Sequence, residues 1–440
     1  MFRILLFTVV LMLGIAAALP VKERPVAQSL KLKWKCEIGN TTDRTRPVIC
    51  DGSIWIGSNG SHYKDYAIDY GNGIYQISAN SGKVINHILH EQVGDMDVNG
   101  IVKIGELFYA GSDNEELTCF DASGKVRWRI PSGGDIEHRP IAITIDGMDV
   151  LVYATENGEI SAVNPENGNR LWSHYHSDYK GWKPGDNRFV FKVNNQFYQG
   201  NCYFSEPAVV DLNKDGTEDL IYSSGYSKIQ AINGRSGKQM YEYSYPNPTD
   251  LSLLGRDKPL ISSVNKNLVV WLPVKTDKGY DMIGLNSKGE ERYRKSLPKS
   301  ELLSTSYNSS FGDCGFDNGY LDLNTFKFTS YKWNKIVKEQ YYSNLDYNVG
   351  RYSDNKVKFN GELCNVIIYE FVSGTNSVLA IVGENSGAVH FKQVLAGRSE
   401  FIPVVEDVDK DGKVDLLVNT SDGMLYCYSL GVNVKELVKR

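Results

Sequence analysis

The sequence predicts an all-β protein that folds as a single β-propeller, with eight blades of four antiparallel strands (seven is the alternative count). A unit made of an apolar strand, a Gly-containing turn and a strand of alternating apolar residues recurs along the chain. Its closing glycines Gly82, Gly124 and Gly168 are 42 and 44 residues apart, a period that matches a four-stranded propeller blade. Because a single blade cannot bury both of its faces, we expect the series to close into a ring.

Strand alternation locates the individual blades, since each sheet buries every second residue against its neighbours. The clearest units are residues 117–128 and 160–172, in which a strand of small and apolar residues runs through a Gly turn to a Trp. The blades are predicted to begin near Trp34, Glu91, Gly134, Trp182, Lys258, Phe311, Arg351 and Glu400. Residues 31–34 are predicted to add the closing strand to the last blade, so that the two ends of the chain join the ring.

The N-terminus has the pattern of a secretory signal peptide. Arg3 precedes an apolar run over residues 4–17, and the small residues 16–18 form a cleavage site. The predicted organisation is a signal peptide over residues 1–18, an N-terminal extension over 19–29, the propeller over 30–430 and a C-terminal tail over 431–440. The protein is therefore expected to be extracytoplasmic, either secreted or periplasmic, after cleavage near Ala18.

Composition narrows the class of protein. The formal net charge of −5 over 440 residues is mild, which argues against a nucleic-acid partner. No second apolar stretch follows the signal, so no membrane span is predicted. Seven cysteines without a CxxC spacing exclude zinc ribbons and c-type haem attachment. Cys36 and Cys50 are close enough to form a disulfide or to remain free thiols, and Cys119 and Cys427 occupy a small-residue strand position typical of core packing.

Two Asp-rich loops, at residues 211–219 and 407–415, are the candidate metal sites. Both place oxygen side chains at positions 1, 3, 5 and 9 and Gly at position 6, a spacing that lets one tight loop surround a hard cation. An EF-hand would require flanking helices and a Glu at position 12, whereas strand-like sequences flank both loops. We therefore predict two structural Ca²⁺ sites, and the alternative is a pair of acidic turns without metal. The predicted ligands are Asp211, Asn213, Asp215, the Thr217 carbonyl and Asp219 in the first loop, and Asp407, Asp409, Asp411, the Lys413 carbonyl and Asp415 in the second.

A third segment, residues 95–100, is interpreted as an eroded form of the same loop. Asp95, Asp97 and Asn99 occupy the first ligand positions, but Lys103 stands where the last carboxylate is needed. A cation at that position would repel Ca²⁺, so at most weak binding is expected there.

The repeats resemble the PQQ-type (quinoprotein alcohol dehydrogenase-like) β-propeller repeat, in which a small-residue strand leads into a Gly turn and a Trp. The two Asp-rich loops resemble those of FG-GAP (integrin α-type) propeller repeats. Together, these resemblances imply a calcium-stabilised propeller over nearly all of residues 30–430. The dehydrogenases hold their quinone against a disulfide between adjacent cysteines, a pair that this chain lacks, so no PQQ is expected.

The sequence contains no HExxH, GxSxG or P-loop motif, and the function that it favours is therefore non-catalytic. Tyrosines are concentrated in segments that interrupt the repeat, at residues 62–70 and 175–182, which either form a binding face on a propeller rim or pack locally. The leading hypothesis is a scaffold that binds a protein or glycan ligand on one face. The alternative is a calcium-dependent carbohydrate-active enzyme of the propeller-lyase type.

Overall fold

The structure is a computed structural model. It describes residues 30–60, 71–89, 97–156, 158–176, 189–193, 196–200, 205–224, 228–244, 258–264, 266–276, 279–298, 313–316, 319–322, 327–330, 350–370 and 376–439.

The described residues form antiparallel β-sheets that follow one another along the chain. The closing strand is β1 (Lys31–Glu37). The first three sheets contain β2 (Val48–Cys50), β3 (Ser53–Asn59), β4 (Asn72–Ser78) and β5 (Val84–Ile88); β6 (Val98–Ile104), β7 (Leu107–Ser112), β8 (Glu116–Asp121) and β9 (Val126–Pro131); and β10 (Ile141–Ile145), β11 (Met148–Ala154), β12 (Glu159–Val163) and β13 (Arg170–Tyr175).

A two-stranded hairpin and two further four-stranded sheets come next. The hairpin consists of β14 (Phe189–Val193) and β15 (Gln196–Gly200). The sheets contain β16 (Ala208–Val210), β17 (Asp219–Ser224), β18 (Lys228–Ile232) and β19 (Gln239–Ser244); and β20 (Leu260–Val264), β21 (Asn267–Thr276), β22 (Gly279–Leu285) and β23 (Glu291–Pro298).

The remaining strands complete the fold. A three-stranded sheet contains β24 (Asp313–Phe316), β25 (Gly319–Asp322) and β26 (Lys327–Ser330). A larger sheet contains β27 (Gly350–Tyr352), β28 (Lys356–Phe359), β29 (Glu362–Glu370), β30 (Ser377–Gly383), β31 (Val389–Val394) and β35 (Leu437–Val438), and the last sheet contains β32 (Val404–Glu406), β33 (Lys413–Asn419), β34 (Met424–Asn433) and β1.

This architecture confirms the all-β propeller prediction, because each complete sheet is an antiparallel blade. The first strands β2, β6 and β10 lie next to one another, which places them at the centre of the ring. Since successive strands run in opposite directions, the residues that enter each first strand lie at one end of the blade. We call this end the entry face, and it includes Arg46, Arg139, Glu206 and Lys258. The opposite end, the turn face, carries the first-to-second strand turns and both Asp-rich loops.

The predicted ring closure is confirmed. Strand β1 pairs antiparallel with β34, so the N-terminal strand is the fourth strand of the last blade. A buried cluster then joins this blade to the first one, packing Trp34 and Leu417 with Ile54 and Ile77. The C-terminal residues also belong to the sheets: β34 extends to Asn433, and β35 pairs with β28. The sequence-based boundary at residue 430 therefore moves to residue 438.

An aromatic side chain on the fourth strand of one blade repeatedly packs on a glycine of the next. The indole Nε1 of Trp34 donates to the Ala79 carbonyl (2.8 Å), and a Cβ added at Gly82 would lie 2.6 Å from the same ring. Trp128 repeats the contact at Gly168, donating to the Pro165 carbonyl (3.1 Å). The Gly turn and the Trp of the sequence repeat are therefore the two halves of one inter-blade contact.

Three expectations change or stay open. Cys36 and Cys50 are free thiols on different blades, so no disulfide joins them. Residues 98–100 belong to β6, the first strand of its sheet, so they do not join a first strand to a second as the Asp-rich loops do, and Asp95 lies outside the described residues. The count of eight blades stays a prediction, since residues 331–349 lie outside the described part of the chain.

Candidate cation sites and a charged entry face

The first Asp-rich loop joins β16 to β17 and turns its backbone amides toward its own side chains. Asp211 accepts hydrogen bonds from the amides of Asp215 (3.1 Å) and Gly216 (2.9 Å), and Asp215 accepts one from the amide of Thr217 (2.8 Å). Gly216 has a φ of +83°, a conformation that suits glycine and permits the sharp turn. The predicted frame of oxygen side chains around a tight turn is therefore present.

Asp219 closes the first loop from the start of β17, and its carboxylate is fully buried. It accepts hydrogen bonds from the Leu212 amide (3.1 Å), the Gly234 amide (3.1 Å) and the Asn233 side chain (3.0 Å). Burial raises its pKa despite these bonds. These three donors are neutral, so a nearby cation would stabilise the ionised form of Asp219.

The second loop repeats this geometry between β32 and β33. Asp407 accepts from the Gly412 amide (3.1 Å), Asp411 from the Lys413 amide (2.8 Å) and Asp415 from the Val408 amide (3.3 Å). Carboxylate oxygens of Asp407, Asp409 and Asp415 lie within 4.8 Å of one another, the one such acidic group found among the described residues. The Oδ1 atoms of Asp407 and Asp409 are buried and make no hydrogen bond there.

The donor sets of both loops fit a hard divalent cation. Ca²⁺ takes carboxylate and carbonyl oxygens at flexible geometry, and every predicted side-chain ligand is a carboxylate or, at Asn213, an amide. In the second loop the two unpartnered buried oxygens are the atoms that a cation would satisfy. Among the described residues, the carboxylates of the first loop do not come as close to one another as those of Asp407, Asp409 and Asp415 do.

A lysine that the sequence analysis missed enters the second loop. The Nζ of Lys33 on β1 lies 2.6 Å from Asp409 Oδ2, 3.1 Å from Asp411 Oδ2 and 3.1 Å from Asp415 Oδ1. Burial by itself would lower the pKa of Lys33, but hydrogen bonds to Asp409, Asp415 and Asp411 outweigh burial and raise the pKa well above its usual range. The available signal was the predicted pairing of residues 31–34 with the last blade, which brings Lys33 to this loop.

A charged cluster also lies on the entry face, where Arg139 and Lys258 both bind the carboxylate of Glu206. Glu206 Oε1 accepts from Arg139 (2.9 Å) and from Lys258 (3.2 Å). Burial disfavours the ionised carboxyl, but the positive charges of Arg139, Lys258 and Arg46 prevail and lower the pKa of Glu206 to about 2. The sequence signal for this cluster is a charged residue followed by Pro immediately before four of the first strands, in Arg46-Pro, Arg139-Pro, Glu206-Pro and Lys258-Pro.

The tyrosine-rich segments lie mostly outside the described residues. Residues 61–70 and 177–188 belong to that part, and Tyr175, at the end of β13, is described and 41% exposed. No helix in the described ranges is long and apolar enough to cross a bilayer.

Comparison with known sequences points to one group of propellers. A family profile described as outer membrane protein assembly factor BamB matches residues 70–258. The BamB assembly factor of Bordetella pertussis is 23% identical over 146 residues, which is 33% of this chain and 33% of that protein. The match thus spans about a third of the relative's length.

Comparison with solved structures shows the fold. The crystal structure of BamB from Moraxella catarrhalis has a TM-score of 0.54 at 12% identity and covers 91% of this chain and 100% of its own. A quinohemoprotein alcohol dehydrogenase from Pseudomonas putida HK5 gives 0.52 at 12% identity, covering 91% and 76%. Sqt1 from Saccharomyces cerevisiae gives 0.51 at 12% identity, covering 92% and 97%. The chain therefore has the β-propeller fold, and its residues 70–258 are similar to repeats of the PQQ type.

Proposed function

We propose that this chain is a non-catalytic, calcium-stabilised propeller that binds a protein ligand outside the cytoplasm. The observation that carries the proposal is the match of residues 70–258 to the profile of an outer membrane assembly factor. The whole-chain fold is shared by BamB and by quinoprotein dehydrogenases, so the choice of function rests on the site rather than on the fold. The absence of catalytic motifs from the sequence favours the binding role.

The entry face is the proposed binding surface. Arg139 and Lys258 keep 34% and 46% of their side chains exposed while they bind Glu206, and Arg46 adds a third positive charge near one carboxylate. An excess of positive charge around a partly buried carboxylate favours acidic side chains in a ligand, and it would speed association by electrostatic steering.

Calcium is proposed as a structural ion rather than a participant in chemistry. The two loops hold three or four carboxylates each within one turn, and a cation would neutralise their mutual repulsion; the oxygen donors suit Ca²⁺. FG-GAP-type propeller loops are the resemblance behind this assignment. We do not expect pyrroloquinoline quinone to bind, and purified protein supplied with this quinone should show no alcohol-dependent dye reduction.

Site-specific photo-crosslinking tests the binding surface. A photoreactive amino acid at position 258, on the entry face, should give a defined protein adduct when the chain is expressed in its own cells. The same probe at Met148, which is 65% exposed beside a turn-face turn, is the matched control and should give none. Equal amounts of adduct at both positions would reject the entry face as the binding surface. If the purified protein released oligosaccharides from any of a panel of polysaccharides, the scaffold hypothesis would give way to the carbohydrate-active enzyme.

Export is tested separately by N-terminal sequencing. If the signal peptide is cleaved near Ala18, the mature protein should begin near Leu19 and fractionate with extracytoplasmic proteins. An intact Met1 on protein from the cytoplasmic fraction would reject export.

A further inference from the structure

The two Asp-rich loops share one sequence pattern, but the fourth strand of the blade brings a different residue to each loop. The fourth strand of each complete blade contains a bulge, at which one residue is skipped in the pairing with the third strand. In the last blade Leu32 pairs with Tyr428 and Trp34 with Cys427, so the skipped residue is Lys33. In the blade of the first loop Gln239 pairs with Ile232 and Tyr241 with Ala231, so the skipped residue is Met240. Position 33 and position 240 are therefore equivalent.

The bulge position lies at the turn face; it holds Ile85, Leu171 or Met240 in three blades, and in the other four its side chain meets an acidic group of its own blade. Arg127 at this position lies 2.8 Å from Asp121, and His390 lies 3.1 Å from Glu362. Arg292 forms an ion pair with Glu290. The lysine and the two arginines at bulge positions thus act as counter-ions of turn-face carboxylates. In the first-loop blade the same position holds the apolar Met240, which packs against the hydrophobic core.

The chain path explains why the second loop is open to Lys33. In the first-loop blade, the turn after β18 supplies Asn233 and Gly234, which donate hydrogen bonds to Asp219. In the last blade, β34 continues to Asn433 instead of turning, because the fourth strand comes from the N-terminus. Asp415, the counterpart of Asp219, receives the Lys33 ammonium in place of such a turn.

We propose that Lys33 is the resident cation of the second loop, so that Ca²⁺ binds the first loop alone and the second loop holds the ring-closing strand in place. Lys33 Nζ contacts the oxygens of Asp409, Asp411 and Asp415 that Ca²⁺ would require, and two cations cannot share that centre. Removal of the ammonium frees these oxygens beside the unpartnered Oδ1 atoms of Asp407 and Asp409. Lys33→Met, which gives the second loop the residue type of the first, converts it into a calcium site. This inference depends on the proposed calcium binding at the first loop in one respect, which is the number of ions expected in the unaltered protein.

Calcium titration of the metal-stripped full chain by calorimetry tests the proposal. We expect one bound Ca²⁺ in the unaltered protein and two in Lys33→Met, with the additional site lost again in Lys33→Met/Asp409→Asn. Lys35→Met is the matched control, since Lys35 is an exposed lysine two residues along the same strand, and it should bind one ion. Lys33→Gln, which keeps a polar side chain without the charge, should also bind two and serves if the Met variant does not fold.

The outcomes separate the two proposals. Two ions in the unaltered protein, or the same stoichiometry in the unaltered protein and in both Lys33 variants, would overturn the role of Lys33. No ion in the unaltered protein together with one in Lys33→Met would support that role while rejecting calcium at the first loop. A second readout is thermal: Ca²⁺ should raise the melting temperature of Lys33→Met more than that of Lys35→Met, and equal shifts would count against the proposal.

Discussion

Glu206 is the residue on the entry face whose ionisation is most directly tied to its neighbours. Its pKa is about 2, below the usual value near 4.5, so the group stabilises the fold above its unfolded pKa, and this contribution is lost as the pH falls toward 2. We expect Glu206→Gln to lower the free energy of unfolding at pH 7 by about 1–3 kcal/mol, because Arg139 and Lys258 lose their counter-ion. Urea unfolding at pH 7 and at pH 3.5 measures the effect.

Glu166 provides the control for that comparison. It is exposed in the turn after β12, and Glu166→Gln should change stability by less than about 0.5 kcal/mol at either pH. The penalty of Glu206→Gln should be smaller at pH 3.5 than at pH 7. A penalty that is the same at both values would mean that side-chain packing, and not charge, explains the loss.

At the residue scale, the sequence predicted the arrangement of oxygen side chains within each loop but not the residues from distant parts of the chain that contact them. The oxygen frames of both Asp-rich loops were predictable because all their residues lie within nine positions of one another. Lys33 was not, because it lies 378 residues from Asp411 and meets it only once the ring is closed. The Arg139, Glu206 and Lys258 cluster was hidden for the same reason, although its charged-residue–Pro repeat was visible in the sequence.

At the scale of elements, the contact between a fourth-strand aromatic and the glycine of the next blade offers a sharp test. Gly82 has a φ of +69°, and a Cβ there would lie 2.6 Å from the Trp34 ring. We expect Gly82→Ala to lower the free energy of unfolding by about 2–4 kcal/mol, since backbone strain and steric overlap with a packed indole add together. Equilibrium denaturation measures this loss.

Gly105→Ala is the control for backbone strain alone. Gly105 has a φ of +56°, and a Cβ there meets nothing within 4 Å. The expected cost is about 1–2 kcal/mol. If the two alanine variants proved equally stable, the Trp34 contact would contribute nothing measurable to the joint between the blades.

Element type and order were predictable because alternation and glycine spacing are local signals. The placement of residues 98–100 in a first strand was not predictable, since a short run of Asp and Asn does not reveal whether it lies in a strand or between two strands. In the first, third and larger sheets the first and second strands are joined by two-residue turns, at Asp51-Gly52, Asp146-Gly147 and Asn360-Gly361, in which both residues have positive φ. The Asp-rich loops replace such turns, whereas residues 98–100 lie within a first strand.

At the scale of the whole molecule, calcium should stabilise the ring by mass action. An ion that binds only the folded state contributes roughly 2.7 kcal/mol when its concentration is ~100 times the dissociation constant. We expect a lower melting temperature in EDTA than in Ca²⁺, and Asp215→Ala should abolish the difference. Asp97→Ala is the control, because Asp97 accepts a hydrogen bond from Asn59 (2.7 Å) outside either loop, and its shift should remain. Identical curves for stripped and calcium-loaded protein would remove the calcium assignment.

The strand β1 makes the ring depend on the N-terminal end of the described chain. It supplies the fourth strand of the last blade, the Trp34 contact with the first blade and the Lys33 contact with the second loop. A chain that begins at Ile38 loses all three, whereas one that begins at Leu30 keeps them. We expect the shorter chain to melt at a lower temperature and to exchange backbone hydrogens faster in β34 and in β2 to β4 than in β10 to β13, because the opened seam borders only the first and last blades. The Leu30 chain should behave like the mature protein. Uniform protection across the two regions in the shorter chain would show that the ring holds without its closing strand.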